Sequence, residues 1–129
     1  MSNSSKKLFK ECFKSYNNHS LERVRELVAK GADVNWKNEN NYNRTGFMYA
    51  CNYNHVETVK YLMTIDRINV NLVDNLGWSG FYYACMHKNN EIVQILLDDP
   101  RVDIMLSNKC NWSPLMTAAY WGITVKRIL

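Results

Sequence analysis

The sequence predicts an all-α repeat solenoid, in which short helix-turn-helix units are joined by hairpin loops. The first observation is a fixed period, since Gly46 and Gly80, like Ala50 and Ala84, lie 34 residues apart. The second is that each period holds two short stretches whose apolar residues have the three- and four-residue spacing of a helix. One such unit cannot bury its own apolar face, so the stacking of successive units must supply a shared core.

The first helix of each unit is predicted from its start. Thr45, Ser79 and Ser113 each stand directly before a stretch rich in small residues, and a hydroxyl at this position can cap a helix. A glycine or a proline follows each of them, at the first helical position. Small residues later in the stretch, such as Ala50 and Ala84, would let a neighbouring helix approach closely.

The second helix of each unit is predicted over Val56 to Met63 and over Ile92 to Leu97. Pro100 helps to stop the later one. Beyond the earlier one, apolar and polar residues alternate at Ile68 and Val70, which is the pattern of an extended hairpin arm. Each unit is therefore predicted to run helix, turn, helix, extended loop.

Two motifs then resemble the ankyrin repeat. The segment GADVN at 31–35 matches the family's G-A-D-x-N loop, and SPLMTAA at 113–119 is similar to its T-P-L-H-x-A-A element. The resemblance covers the chain from about Ser20 to the C-terminus, and it implies about three and a half ankyrin units in a single domain. The implied units are an N-terminal capping unit at 1–38, repeats at 39–72 and 73–106, and an incomplete C-terminal repeat at 107–129.

The chain departs from the family pattern inside the T-P-L-H element. Met48, Tyr82 and Met116 stand in place of His, so the loop hydrogen bonds of that His must be made by other groups or lost. Gly46 and Gly80 replace Pro, which raises the entropy cost of ordering each helix start by about 0.5 to 1 kcal/mol. We therefore expect the two middle units to be less rigid than a consensus array.

Both ends of the chain depart from the repeat. The first helix is predicted from apolar residues between Leu8 and Tyr16, with Met1 to Ser5 as a frayed tail. It lacks the opening motif, as a terminal capping unit does. The last helix is short, so the chain has either a makeshift C-terminal cap or is the front part of a longer array. In the second case the open end could self-associate; otherwise we expect a monomer.

The resemblance implies that a protein partner binds along the concave side, formed by the hairpin tips and the exposed ends of the first helices. These positions are rich in aromatic residues, and Tyr, Trp and Arg are frequent interface hot spots because they bury much area for few rotatable bonds. The predicted partner-binding residues are Tyr42, Arg44, Tyr53, Leu76, Trp78, Met86, His87, Trp112, Tyr120 and Trp121.

The tryptophans have a second interpretation. Trp78 and Trp112 occupy the same place in consecutive units, and packing between adjacent tips explains them as well as partner binding does. Trp36, just after GADVN, is better explained by packing against the first unit. Tyr53 and Trp121, at helix ends that face the groove, are the stronger candidates for binding.

Composition and motifs argue against nucleic-acid-binding and membrane-spanning proteins. The chain has 129 residues, is 47% apolar and 22% charged, and carries a net charge of +4, as an ordinary globular protein does. It shows no basic stripe with base-reading elements, so nucleic-acid binding is not expected. No apolar run is long enough for a membrane span, and no signal sequence precedes the repeats, which together with the absence of a cysteine framework predicts an intracellular, cytoplasmic protein.

No catalytic, cofactor-binding or metal-binding site is predicted. The four cysteines form no C-x-x-C pair and no cluster with histidine, so a zinc site is not expected. His87 has no nucleophile or phosphate loop placed beside it by a recognised motif. The leading hypothesis is a non-enzymatic protein-interaction module, and the alternative is a structural or targeting segment of a larger ankyrin-repeat regulatory protein.

Overall fold

The structure, a computed structural model, describes residues 3–14 and 18–106. This part of the chain forms six helices and no strand, which confirms the predicted all-α repeat solenoid. The predicted caps, helices and side chains at 107–129 lie outside the described residues. The helices are α1 (Asn3–Lys14), α2 (Asn18–Ala29), α3 (Gly46–Asn52), α4 (Val56–Met63), α5 (Gly80–Met86) and α6 (Asn90–Leu97).

The helices stack in two rows. The inner row is α1, α3 and α5, and the outer row is α2, α4 and α6. Each helix packs on the next helix of its own row. Equivalent residues of successive outer helices, Val24, Val59 and Val93, are all fully buried. Since each unit contacts mainly its neighbours, the core is continuous along the stack.

The loops between units close with single antiparallel bridges. One bridge joins Asn38 to Arg44 and defines the first tip, residues 38–44; the other joins Val73 to Ser79 and defines the second tip, residues 73–79. Ile68 is buried, but its neighbourhood forms turns instead of a strand.

The predicted caps of the inner helices are present. The Thr45 hydroxyl accepts a hydrogen bond from the backbone N–H of Met48 at 3.3 Å, and the Ser79 hydroxyl accepts one from Tyr82 at 3.1 Å. The Met48 sulfur in turn accepts from the backbone N–H of Thr45 at 3.5 Å. Methionine thus supplies a weak acceptor at the position where the family has His.

Ser5 corrects the expected frayed tail. Helix α1 begins at Asn3, and Ser5 is buried. Its hydroxyl accepts a hydrogen bond from the backbone N–H of Asp33 at 2.8 Å, which ties α1 to the GADVN loop. The prediction of a frayed segment was therefore wrong for residues 3–5, because a contact distant in sequence orders them.

A side-chain clasp joins successive loops. Asn35 of GADVN donates to the carbonyl of Arg67 at 2.9 Å and accepts from the backbone N–H of Asn69 at 2.8 Å. Asn71 repeats both bonds to the following loop, at 2.9 and 2.8 Å. Met105 has the same local turn geometry but no amide, and its side chain is 60% exposed. The clasp found at the first two loops therefore cannot be repeated at the third.

The glycines that open the inner helices have a steric reason. A Cβ added to Gly46 would lie 2.8 Å from the Cys12 sulfur, and one added to Gly80 would lie 2.6 Å from the Phe47 ring. Both distances are shorter than van der Waals contact. The glycines therefore let consecutive inner helices approach closely, a benefit that the expected entropy cost did not take into account.

Gly80→Ala should destabilise the protein by about 1 to 3 kcal/mol, because the added methyl group overpacks the contact with Phe47. The free energy of unfolding, measured by urea denaturation, would show this. The same substitution in a Phe47→Leu background should cost less, since the smaller side chain leaves room. A stabilisation by Gly80→Ala, as entropy alone predicts, would contradict the steric explanation.

Candidate functional site

The inner face of the solenoid, formed by α1, α3, α5 and the two tips, contains a pocket between α3 and α5. Its volume is about 220 Å³. The lining is aromatic and amphipathic and includes a guanidinium and an imidazole but no carboxylate. The lining residues are Arg44, Met48, Tyr49, Asn52, Tyr53, Tyr83, Met86 and His87.

Arg44 forms one wall of the pocket through a hydrogen-bond network. Its Nε lies 3.3 Å from Asp74 Oδ2 and 3.1 Å from the Tyr83 hydroxyl oxygen, and its Nη1 lies 3.4 Å from the Tyr49 hydroxyl oxygen. The Tyr83 hydroxyl donates to the same oxygen of Asp74. The network joins the first tip, the second tip, α3 and α5.

Asp74 is the buried centre of this network, with a side chain that is 0% exposed. Its second oxygen accepts hydrogen bonds from the backbone N–H groups of Leu76 at 2.9 Å and Trp78 at 3.0 Å. A buried carboxylate is tolerated when it is paired and hydrogen-bonded, and both conditions are met. Asp74 thereby shapes the second tip.

Burial raises the pKa of the Tyr83 phenol, and its hydrogen bond to the Asp74 carboxylate raises the pKa further. Tyr83 consequently remains a hydrogen-bond donor at neutral pH. The Arg44–Asp74 pair needs this donor, because a carboxylate has more acceptor sites than one guanidinium fills.

Tyr83→Phe should lower the free energy of unfolding by about 1 to 2 kcal/mol, because it removes a donor from a buried carboxylate. Thermal or urea denaturation would measure the change. Tyr82→Phe is the matched control, since it removes a hydroxyl from the neighbouring tyrosine outside this network. Equal losses in the two variants would count against the assigned role of Tyr83.

Some of the predicted tip residues are exposed, and others are packed against neighbouring side chains. Tyr42 is 56% exposed, and the Arg44 guanidinium carbon lies 4.9 Å from the centre of its ring. Leu76 is also exposed. Trp78 is half-buried and packs within its own unit, with its ring stacked on Tyr82 at 5.1 Å. Trp36 packs edge-on against a core side chain of α1, in agreement with its predicted packing role.

The predicted residues at the ends of the inner helices lie at the pocket. Tyr53, at the end of α3, is 49% exposed. Met86 is half-buried and His87 is exposed, at the end of α5. The structure therefore brings Arg44 together with these three residues. The further candidates Trp112, Tyr120 and Trp121 lie outside the described residues.

Phe13 joins this surface, although the sequence predicted it only as part of the apolar stripe of α1. Its ring is 39% exposed and lies 4.8 Å from that of Tyr49 and 5.4 Å from that of Tyr53. The two tyrosine rings stack on each other at 5.9 Å. We call Phe13, Tyr49 and Tyr53 the aromatic cluster. The signal in the sequence was the pair Phe9 and Phe13, two large apolar residues four positions apart on one side of the helix.

His55 borders the aromatic cluster, with its ring centre 6.1 Å from that of Tyr53. Its Nδ1 lies 2.9 Å from the backbone carbonyl oxygen of Cys12. Burial lowers the pKa of His55, and the bond to Cys12 offsets only part of that effect. The folded protein therefore favours the neutral imidazole more than the unfolded chain does.

Stability should consequently fall on acidification. The contribution from the depressed pKa of His55 is fully present above the unfolded value of about 6.5 and is lost as the pH falls through the lower folded value. Unfolding measured between about pH 7.5 and 5 should show a smaller acid loss in His55→Gln than in the native chain. His87→Gln, at an exposed histidine, is the control, and an equal effect there would refute the assignment to His55.

The cysteines of the described residues belong to the core. Cys12, Cys51 and Cys85 are all buried. Burial raises the pKa of Cys12 and of Cys85 to about 12, so these thiols are protonated and unreactive at neutral pH.

Within residues 3–14 and 18–106, no group of three or more His, Cys, Asp or Glu side chains is placed to hold a metal ion. In the same ranges no helix has the length and hydrophobicity needed to cross a membrane.

Comparison with known families gives one match. A family model described as ankyrin repeats (3 copies) matches residues 12–107, about three quarters of the chain. No curated protein is similar enough to the chain to be recognised as a relative. The matched range includes the described helices from α2 to α6, together with the pocket and the tips that border it.

Proposed function

The chain belongs to the ankyrin repeat family, and from this we propose that it is a non-enzymatic recognition module that binds a protein partner through its inner face. Ankyrin repeats are generally protein–protein interaction modules, and the family is typically non-enzymatic. Fold alone does not select the binding surface, so the proposal depends on a specific site.

The pocket between α3 and α5 is the observation that carries the proposal. It lies on the inner face, and its lining combines aromatic rings, methionines and polar groups that can orient a bound side chain. Hot spots concentrate in such pockets, where a partner's side chain is desolvated and surrounded by weaker contacts. Tyr53 and His87, both exposed at its rim, would make the first contacts.

The remaining predicted residues have distinct proposed roles. Tyr42 and Leu76 are exposed on the tips and would form the rim of the interface. Arg44 and Trp78 are engaged in the network and packing described above, so they would position this surface as well as contact the partner. Trp112, Tyr120 and Trp121 occupy corresponding places in the sequence of the next unit and would extend the surface.

Affinity capture from a cell extract would test the proposal when three forms of the chain are compared. Tyr53→Ala/His87→Ala changes the pocket rim, whereas Arg25→Ala/Glu57→Ala changes exposed residues of outer helices. We expect a specific partner to be retained by the native chain and the outer variant but reduced at least about tenfold in affinity for the rim variant.

The reverse pattern, with loss of the partner only in the outer variant, would contradict the proposal. Both variants should first be shown to have the same unfolding temperature as the native chain, since a destabilised array would also lose its partner. Hydrogen exchange with the purified partner would then locate protection on α3 and α5 if the inner face is the interface.

The alternative is that the array is a structural or targeting segment of a larger ankyrin-repeat regulatory protein. Met105 favours it, because this side chain is apolar, 60% exposed and located where earlier loops carry the clasping asparagine. Met105→Ser would weaken self-association or docking at that end under the alternative, and would leave inner-face binding unchanged under the leading proposal.

A further inference from the structure

The exposed carboxylates of the described residues are unevenly distributed between the two faces. The exposed carboxylates are concentrated on the outer helices and on the loops that follow them. In the described residues they are Glu22, Glu26, Asp33, Glu57, Asp66, Glu91, Asp98 and Asp103, and one further exposed carboxylate, Glu39, lies on the first tip. The inner helices carry a single acidic residue, Glu11, and the pocket lining carries none. An anionic partner would therefore meet fewer carboxylates along the inner helices than along the outer helices.

Helix α1 adds positive charge beside the aromatic cluster. Lys6 and Lys10 are exposed and lie seven and three residues before Phe13, which places all three on one side of the helix. Glu11 lies on nearly the opposite side, since two residues correspond to about 200° of helix rotation. We call Lys6 and Lys10 the lysine row; it leads along α1 to the exposed ring of Phe13.

The aromatic cluster connects the lysine row to the pocket. The Phe13 ring lies 5.4 Å from that of Tyr53, and Tyr53 lines the pocket. From α1 to α5 the surface therefore presents a basic segment, then exposed aromatic rings, then a cavity of about 220 Å³. A ligand that fits this surface must carry its charged and apolar groups in the matching order.

We infer that the lysine row, the aromatic cluster and the pocket form a docking site for an acidic polypeptide segment that carries an aromatic or long apolar side chain. This inference rests on the proposed function and specifies the chemistry of the partner. The apolar side chain enters the pocket and contacts Tyr53, while carboxylates of the same segment lie along the lysine row.

The geometry also fixes the spacing in the ligand. Lys10 precedes Phe13 by about 5 Å along the helix axis and Lys6 by about 10 Å, at a rise of 1.5 Å per residue. An extended peptide advances about 3.3 Å per residue. The acidic residues should therefore begin about two residues beyond the part of the peptide that contacts Phe13, and should all lie on the same side of the apolar anchor.

Display of random short peptides, selected on the full-length chain, is the experiment that tests this inference. We expect the enriched peptides to combine several Asp or Glu residues with a Trp, Phe or Leu anchor. A fluorescent copy of the most enriched peptide, and a copy with Gln and Asn in place of Glu and Asp, would then be titrated in anisotropy measurements.

Two charge variants distinguish a specific contribution of the lysine row from a general effect of net charge. Lys6→Gln/Lys10→Gln removes the lysine row, and Lys30→Gln/Arg67→Gln removes two exposed charges elsewhere. The first should weaken the acidic peptide about tenfold at low salt and flatten the salt dependence, while the second should have little effect. Neither variant alters a buried residue, so folding is preserved.

Phe13→Ala/Tyr53→Ala tests the apolar part of the same site and should weaken both peptides, charged and uncharged, by a similar factor. Enrichment without acidic residues, or equal loss in the two charge variants, would overturn the inference while leaving inner-face protein binding intact. Binding unaffected by Phe13→Ala/Tyr53→Ala would contradict the proposed function as well.

Two further outcomes overturn the inference. One is that the selection enriches no peptide, since linear acidic segments would then not be recognised. The other is that a single-stranded oligothymidine binds the lysine row more tightly than the acidic peptide does, because exposed aromatic rings beside lysines can also stack on bases.

Discussion

The buried carboxylate of Asp74 is the constraint on which the functional face depends. It accepts hydrogen bonds from the second tip, from Tyr83 of α5 and from Arg44 of the first tip. An unpaired carboxylate in such a place would be strongly unfavourable, so the two tips and α5 must keep this arrangement. The pocket wall is fixed as a result, and a fixed wall lowers the ordering cost when a ligand binds.

The close packing of the inner helices provides the second constraint. Gly46 and Gly80 leave space for Cys12 and Phe47, which brings consecutive inner helices near one another. The aromatic rings at the ends of those helices, Phe13 and Tyr53 among them, therefore come into contact across units. The partly exposed aromatic cluster on the inner face therefore depends on small residues in the core.

The sequence allowed the repeat, the helix pairs and the caps at Thr45 and Ser79 to be predicted, because each depends on local spacing that recurs every unit. It did not reveal the pairing of Arg44 with Asp74, 30 residues apart, because the position equivalent to Arg44 in the next unit is Trp78. Ser5 was missed for the same reason. Contacts that occur once, between different units, leave no periodic trace in the sequence.

The pocket itself arises from repetition with differences. Its lining contains the equivalent pairs Tyr49 and Tyr83, Asn52 and Met86, and Tyr53 and His87, each pair 34 residues apart. One pair is identical in the two units: both tyrosines are hydrogen-bonded to Arg44, and these bonds maintain the shape of the pocket. The two pairs that differ lie nearer the rim and make it asymmetric, so that a ligand can be held in one direction along the stack. On the proposed function, selectivity would therefore be determined by the positions at which the two repeats differ.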